Sequence, residues 1–191
     1  MPSESASYQF LKESIPVLLL CGLGLMAAGS LFGLMVGTLK DHPGLLVLIP
    51  AIIGMRGNIS TALGSRLGSA SHLGLINMEE LWNDDSRANV KASLLLSFLM
   101  GILAGVLAHG SLVLLGRDSS GLLPLVGVAL LAGVISGFLL AGVTMGIMVL
   151  SFRKGYDPDN VTGPLLSTVG DIITLIVIFG SAWLVFDVIM G

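Results

Sequence analysis

The chain has 191 residues, of which 54% are hydrophobic and only 11% are charged. Soluble domains carry roughly a quarter charged residues, so this chain has too few polar side chains to cover a globule in water. The small net charge of −3 gives no indication of nucleic-acid binding, which would need a basic surface. The composition is therefore that of an integral membrane protein.

Apolar stretches long enough to cross a bilayer, which takes about 20 residues, occur five times. They cover residues 15–39, 44–65, 92–116, 121–152 and 161–186. The fourth stretch is long enough to tilt or to project from the membrane. We predict an all-α, polytopic membrane protein in which a short, polar and frayed cytoplasmic tail, 1–14, precedes one transmembrane domain of five helices, 15–191.

The orientation of the spans follows from the positions of the lysine and arginine residues. An odd number of spans places the two termini on opposite sides of the membrane. With the N-terminus inside, the inner segments contain Lys12, Arg66, Arg87, Lys91, Arg153 and Lys154, and the outer loops contain Lys40 and Arg117. Because cytoplasmic segments are enriched in these residues, we predict a cell-membrane protein with a cytoplasmic N-terminus and an external C-terminus.

The segment between the second and third spans is acidic and polar. Asn77 is followed three residues later by Glu80, a spacing typical of a helix N-terminal capping box, and Trp82 follows. We predict a short interfacial helix here. The acidic residues around it are interpreted as a solvated face.

Glycine residues recur at intervals of four in several spans. Such pairs are Gly29 and Gly33, Gly64 and Gly68, Gly101 and Gly105, Gly133 and Gly137, and Gly142 and Gly146. Small residues at this spacing lie on one helix face and let two backbones approach closely. They indicate either packing within one bundle or an interface between subunits, and the sequence does not decide between the two.

The second span contains an unusual density of weak helix formers around one charged residue, Arg56. Gly54, Gly57, Asn58 and the following Ser60 and Thr61 all lower the helix propensity. We therefore predict a broken helix whose free carbonyl groups line a protein-covered or water-filled path, as occurs in transporters. The alternative is a helix that is merely kinked near the membrane interface.

The fifth span contains a single charged residue, Asp171, near its centre. Helical spacing places Ser167, Thr168 and Thr174 on the same face as this carboxylate. Charges within a membrane are unfavourable and usually face a cavity, an ion or a partner, and oxygen ligands suit hard cations such as Mg²⁺. The alternative is a buried carboxylate satisfied by a neighbouring helix, for which Arg56 is the candidate.

The loop before the fifth span contains two carboxylates and an amide, Asp157, Asp159 and Asn160. On the predicted inner side of the membrane, these groups would concentrate cations at the mouth of a path. Alternatively, Asp159 or Asn160 caps the N-terminus of the following helix, where the helix dipole favours negative charge.

The two polar segments together resemble the signatures of a known family. Residues 50–67, Pro-Ala-Ile-Ile-Gly-Met-Arg-Gly-Asn-Ile-Ser-Thr-Ala-Leu-Gly-Ser-Arg-Leu, are similar to the first signature of the MgtE and solute carrier family 41 magnesium transporters. Residues 157–171, from Asp-Pro-Asp-Asn to Val-Gly-Asp, resemble the second signature. The order of the segments, their separation and the number of spans agree with this family.

The resemblance implies a parallel homodimer with the ion path between the subunits. It also implies that Asp171 is the central ion-binding acid, that Asn58 lies near the pore, and that Asp157, Pro158 and Asn160 form the inner mouth. The expected metal-site residues are thus Asp171, Asn58, Ser167, Thr168, Asp157 and Asn160, and the transported ion is Mg²⁺ or another divalent cation. Bacterial relatives carry a cytoplasmic Mg²⁺ sensor, which the short tail 1–14 is expected to lack.

Three functions remain compatible with these observations. The first is divalent cation transport by a homodimer, with two Asp171 carboxylates holding a largely hydrated ion. The second is secondary transport coupled to protons or Na⁺, including Na⁺/Mg²⁺ exchange, and the third is a membrane subunit that does not transport. The sequence contains no hydrolase, phosphate-loop or zinc motif, so we predict no enzymatic activity.

Overall fold

A computed structural model describes residues 4–74, 82–154 and 158–190 of the chain. These residues form six α-helices and one π-helical turn. The helices are α1 (Glu4–Leu34), α2 (Val36–Asp41), α3 (Gly44–His72), α4 (Asp84–Leu114), α5 (Leu122–Lys154) and α6 (Pro158–Trp183), and the π-helical turn is Leu184–Ile189. Five helices are long and apolar enough to cross a membrane, and the described residues contain no strand. The predicted all-α fold with five spans is confirmed.

The centre of the bundle is formed by α5, which packs against α3, α4 and α6. The larger buried core lies toward the end of the bundle where α2 is found, and it consists of aliphatic side chains such as Leu48, Leu125 and Ile178, which are fully buried. Helix α1 lies at the periphery and packs along α6. There the thiol of Cys21 donates to the carbonyl oxygen of Pro164 over 3.4 Å. This arrangement leaves one side of α6 next to α1 and the other next to α3.

The first predicted span differs from the observed helices at both ends. Instead of an unstructured tail followed by a helix from residue 15, α1 begins at Glu4 and ends at Leu34. A turn at Met35 then separates it from α2, because the Met35 N–H donates to the Phe32 carbonyl at 3.0 Å in a tighter turn. Glycine on both sides of Met35, at Gly33 and Gly37, lowers the helix propensity here. The turn buries the Met35 side chain, which is 1% exposed.

The predicted break in the second span is wrong, because α3 is one α-helix from Gly44 to His72. It continues through the glycine-rich segment around Asn58 and also accommodates Pro50. The physical reason is that the membrane core offers no water to backbone groups that leave the helix, so closing the internal hydrogen bonds outweighs the weak propensity of glycine.

Glycine residues bring α4 and α5 into close contact within one subunit. A Cβ atom on Gly105 would lie 2.5 Å from the Val126 Cα, and one on Gly101 would lie 3.0 Å from the Ala129 carbonyl oxygen. A Cβ atom on Gly133 would likewise lie 3.0 Å from the Ser97 carbonyl oxygen. These three glycines of α4 and α5 therefore serve packing inside the bundle. By contrast, no other atom lies within 4 Å of a Cβ atom at Gly29, Gly33, Gly142 or Gly146.

The N-termini of α4 and α6 also differ from the predicted boundaries. Helix α4 begins at Asp84, where the Asn83 side chain accepts a hydrogen bond from the Ser86 N–H at 2.9 Å and caps the helix. The predicted interfacial helix around Asn77 and Glu80 lies outside the described residues. Helix α6 begins at Pro158, a residue suited to the first helical position.

Candidate functional site

Asp171 is the fourteenth of the 26 residues of α6, so its carboxylate lies near the middle of the helix. Its side chain is partly exposed in the single subunit, and Ser167, one helical turn earlier, is exposed. These two oxygen-bearing side chains therefore reach the surface of the bundle within a membrane-spanning helix. Lipid is an unfavourable environment for a carboxylate, so this surface is a candidate site.

The other two members of the predicted oxygen-bearing face are turned into the bundle. Thr168 is 7% exposed, and its Cγ2 methyl group lies 2.7 Å from where a Gly24 Cβ atom would stand, so it packs against α1. Thr174 is fully buried, and its hydroxyl has no hydrogen-bond partner. The predicted face of four oxygen-bearing residues is thus divided. Only Asp171 and Ser167 are accessible from outside the subunit.

The alternative in which Arg56 neutralises Asp171 is excluded by the geometry. Arg56 is 3% exposed and donates a hydrogen bond from Nη1 to the Ser97 hydroxyl of α4. The described parts of the chain contain one ion pair, which joins the exposed side chains of Arg87 and Asp84 at 3.8 Å and does not involve Asp171. Among the described residues, the carboxylate of Asp171 therefore has no cationic partner in its own subunit.

The exposed side of α3 differs in composition from the rest of the membrane-facing surface. Between residues 50 and 69 all its exposed residues are small or polar, and one of them is an arginine. We call these residues the α3 polar face. They are Pro50, Ala51, Gly54, Asn58, Thr61, Ala62, Ser65, Arg66 and Ser69. The exposed surface of α4, in contrast, consists largely of leucine, phenylalanine and valine, as at Leu95, Phe98 and Leu103. A surface built for lipid contact would resemble α4, so the α3 polar face is suited to contact with protein or water.

Packing contacts relate the positions of Asn58 and Asp171 along their helices. The guanidinium of Arg56 lies against Gly137 of α5, and Leu140 of α5 lies against Gly170, the residue before Asp171. Helices α3 and α5 run in the same direction if successive spans alternate. At a rise of about 1.5 Å per residue, Asn58 lies about 3 Å beyond Arg56 along α3. In the same direction, Leu140 lies about 4.5 Å beyond Gly137 along α5. These contacts place the amide and the carboxylate in the same region of two neighbouring helices.

The loop residues predicted at the inner mouth are only partly described. Asp157 lies outside the described residues, and for Asp159 and Asn160 the structure gives the backbone alone. Because α6 already includes residues 159 and 160, these lie in its first turn. The prediction that one of them is the N-cap residue is therefore wrong.

The described part of one subunit does not assemble a metal site from ionisable side chains. Over the residues that the structure describes, no group of three or more histidine, cysteine, aspartate or glutamate side chains could hold a metal ion. Asp171 and Asn58 supply two oxygen-bearing groups, whereas Mg²⁺ takes six ligands, several of them water. A complete site therefore needs water and groups from elsewhere.

Sequence reasoning missed the α3 polar face and the partner of Arg56. The face has a recognisable signal, because Gly54, Asn58, Thr61 and Ser65 recur at intervals of three and four residues along one side of a helix. The expectation of a broken helix concealed this periodicity. The hydrogen bond from Arg56 to Ser97 joins residues 41 positions apart and has no local signal.

Comparison with known proteins gives consistent matches. The family model of MgtE, described as a divalent cation transporter, matches residues 49–181. Solute carrier family 41 member 2 from Gallus gallus is 30% identical over 96% of this chain and 32% of its own length. Member 3 from Rattus norvegicus is 32% identical over 85% of this chain and 36% of its own length.

Member 3 from Mus musculus is 33% identical over 82% of this chain and 33% of its own length. The chain thus spans about a third of the length of these relatives. The matched residues 49–181 include both polar segments, the α3 polar face and Asp171, together with all of α4 and α5. This multi-pass membrane protein therefore belongs to the MgtE family of divalent cation transporters.

Proposed function

We propose that the chain transports divalent cations, with Mg²⁺ as the principal substrate, through a pore between two parallel copies. The observation that carries the proposal is the α3 polar face, which a single subunit leaves uncovered on a helix that packs against α6, the helix of Asp171. A second copy placed against this face by a two-fold axis would remove it from lipid. The same operation would bring two Asp171 and two Asn58 side chains to the axis.

The paired carboxylates explain why a cation would bind there. Two like charges in a medium of low dielectric disfavour each other, and a divalent cation between them relieves the repulsion. Mg²⁺ gives up its water reluctantly and usually keeps several water molecules. We therefore infer that Asp171 attracts a largely hydrated ion, whose water molecules are held by the Ser167 hydroxyl and the Asn58 amide.

The three remaining expected ligands have different roles in this proposal. Because Thr168 packs against Gly24 of α1, we place it beside the path and outside the set of ion contacts. We assign Asp157 and Asn160 to the cytoplasmic mouth, on the assumption that the N-terminus is cytoplasmic. A membrane potential negative inside favours inward movement of a divalent ion by about 4.6 kcal/mol per 100 mV, twice the value for one charge.

Reconstitution of the purified chain into liposomes tests the proposed function. We expect Mg²⁺ to enter vesicles that contain a Mg²⁺-sensitive dye, at a rate set by the Mg²⁺ gradient and the membrane potential. Uptake that needs an imposed proton or Na⁺ gradient would instead support coupled transport, for which a single accessible carboxylate per subunit is also sufficient. A folded, correctly inserted chain that moves no divalent cation under any of these gradients would contradict the proposal.

Cross-linking across the proposed interface tests the homodimer separately from transport. In a Cys21→Ala background, Ser65→Cys places a thiol on the α3 polar face. We expect a short bis-maleimide to link two copies in membranes, because a two-fold axis beside α3 brings the two thiols together. Leu99→Cys on α4, where Leu99 is 51% exposed, is the matched control and should stay monomeric on a denaturing gel. Equal cross-linking at both positions would mean that α3 does not form the interface.

A further inference from the structure

The buried arginine of α3 has no assigned role in ion transport. Arg56 is 3% exposed, although it lies within a membrane-spanning helix and carries a full charge. No carboxylate pairs with it in the described parts of the chain. Polar and ionisable groups at such a depth are unfavourable and are usually retained for a function.

A slot between α4 and α5 fits the guanidinium group. Nη1 donates to the Ser97 hydroxyl, and that hydroxyl in turn donates to the Ser93 carbonyl oxygen at 2.6 Å. On α5 the slot exists because residue 137 is glycine. A Cβ atom there would lie 3.1 Å from both Nη1 and Nη2 of Arg56. Arg56 is thus held in place by two other helices, and a larger residue at position 137 would crowd it.

The surroundings of Arg56 argue against a binding site for a solute. Its Nε has no hydrogen-bond partner, and the residue lines a cavity of about 10 Å³. That volume is at the lower limit of the space needed for one water molecule, about 10–15 Å³. The rest of the lining is mainly apolar and includes Met55, Met100 and Ala129. Because the slot has no room for an anion, the role of Arg56 must lie in what it holds.

Helix geometry connects the slot to the α3 polar face. Successive residues of an α-helix are rotated by about 100°, so Asn58 is rotated by about 200° from Arg56 and projects from nearly the opposite side. The observed burial agrees, since Arg56 is enclosed and Asn58 is exposed. The small residues of the exposed side, such as Gly54 and Ala62, have too little side chain to fix the rotation of α3 by packing on that side.

We propose that Arg56 is a positioning residue that fixes the rotation of α3, so that Asn58 and the α3 polar face point into the ion path. This inference rests on the proposed pore between two copies. Loss of the guanidinium would let α3 rotate within the small-residue packing, which would turn Asn58 away from the ion path. The expected result is weaker capture of the ion in a protein that still folds.

The first test measures where Asn58 points without requiring transport. In a Cys21→Ala background, Asn58→Cys should react with a membrane-impermeant thiol reagent from water. Adding Arg56→Met should lower the rate of labelling about tenfold, and Arg56→Lys should restore part of it, because lysine can still donate to Ser97. Labelling that is unchanged by Arg56→Met would overturn the positioning role. A position 58 thiol that does not react in the folded parent would overturn both this inference and the proposed pore.

The second test uses transport by the full chain in liposomes. Arg56→Met should raise the KM for Mg²⁺ about tenfold with a smaller change in the maximal rate, and Arg56→Lys should bring the KM back toward that of the parent. A purely structural role would lower the amount of folded protein and leave KM unchanged. If Arg56→Met does not fold, a pair of serine variants decides the question.

That pair is matched in burial and in local bonding. Ser97 and Ser136 are both buried, and each donates to the carbonyl oxygen four residues earlier in its own helix. Only Ser97, of the two, accepts a hydrogen bond from Arg56. Ser97→Ala should therefore raise the KM for Mg²⁺, by less than Arg56→Met does, whereas Ser136→Ala should leave it unchanged. Equal KM values for the two alanine variants would contradict the proposal.

Discussion

Asp171→Asn is expected to reduce Mg²⁺ uptake into liposomes at least a hundredfold while leaving the protein folded. Asparagine keeps the size of the side chain and one oxygen but removes the negative charge. In the proposed homodimer the substitution removes two charges from the same site, so the ion loses most of its electrostatic attraction in a medium of low dielectric. A loss of about 2.7 kcal/mol in the stability of the bound state is sufficient for a hundredfold effect.

The matched control for this variant is an acid at the end of the same segment. Asp187 lies on the π-helical turn that continues α6 and is exposed. Asp187→Asn changes the net charge by the same amount, and it should leave uptake within about twofold of the parent because long-range surface charge is screened by salt. Uptake should be followed with a Mg²⁺-sensitive dye at several potentials. Substantial Mg²⁺ uptake by Asp171→Asn would exclude this carboxylate as the ion site.

Gly105→Ala is expected to give the largest loss of stability among single-methyl additions in the membrane spans. The new Cβ atom would stand 2.5 Å from the Val126 Cα and 2.8 Å from its N atom, and backbone atoms cannot turn aside as a flexible side chain can. Helices α4 and α5 must therefore separate along part of their contact. Overpacking of this kind typically costs about 1–3 kcal/mol. In a protein of this size, that corresponds to a fall in Tm of roughly 2–12 °C.

A second glycine of the same helix provides the control. No atom outside the neighbouring backbone lies within 4 Å of a Cβ atom built on Gly110. Gly110→Ala gains the same helix propensity as Gly105→Ala, up to about 1 kcal/mol, without the contact. Thermal unfolding in detergent, followed by size-exclusion chromatography of the heated samples, compares the two variants. A Tm for Gly105→Ala equal to or above that of Gly110→Ala would show that the α4–α5 contact can relax at little cost.

The number and approximate positions of the spans were predictable because both depend on local composition. A bilayer requires about 20 consecutive apolar residues, and each of the five stretches meets that condition without reference to the others. The boundaries were less predictable. The helices α1 and α4 begin well before their apolar stretches, at Glu4 and Asp84, since polar residues can extend a helix into water. The cap at Asn83 was the local signal for α4.

The break expected in α3 illustrates where local propensity fails. Glycine, asparagine and serine weaken a helix in water, where free backbone groups can bind solvent. In the membrane such groups have no partner, so α3 remains helical through Gly57 and Asn58. These small and polar residues do not interrupt the helix, and the exposed ones form the α3 polar face.

The sequence by itself determined that this is a five-span membrane protein with a lone carboxylate, Asp171, at the centre of its last helix. Charge, length and apolar composition are properties of individual segments, and these properties decide whether a segment can cross a bilayer. Only the tertiary structure decided that Thr168 and Thr174 turn inward, that Arg56 bonds to Ser97, and that Asn58 faces outward on a helix packed against that of Asp171. These facts depend on how each helix is rotated against its neighbours, which is set by contacts between residues far apart in the chain.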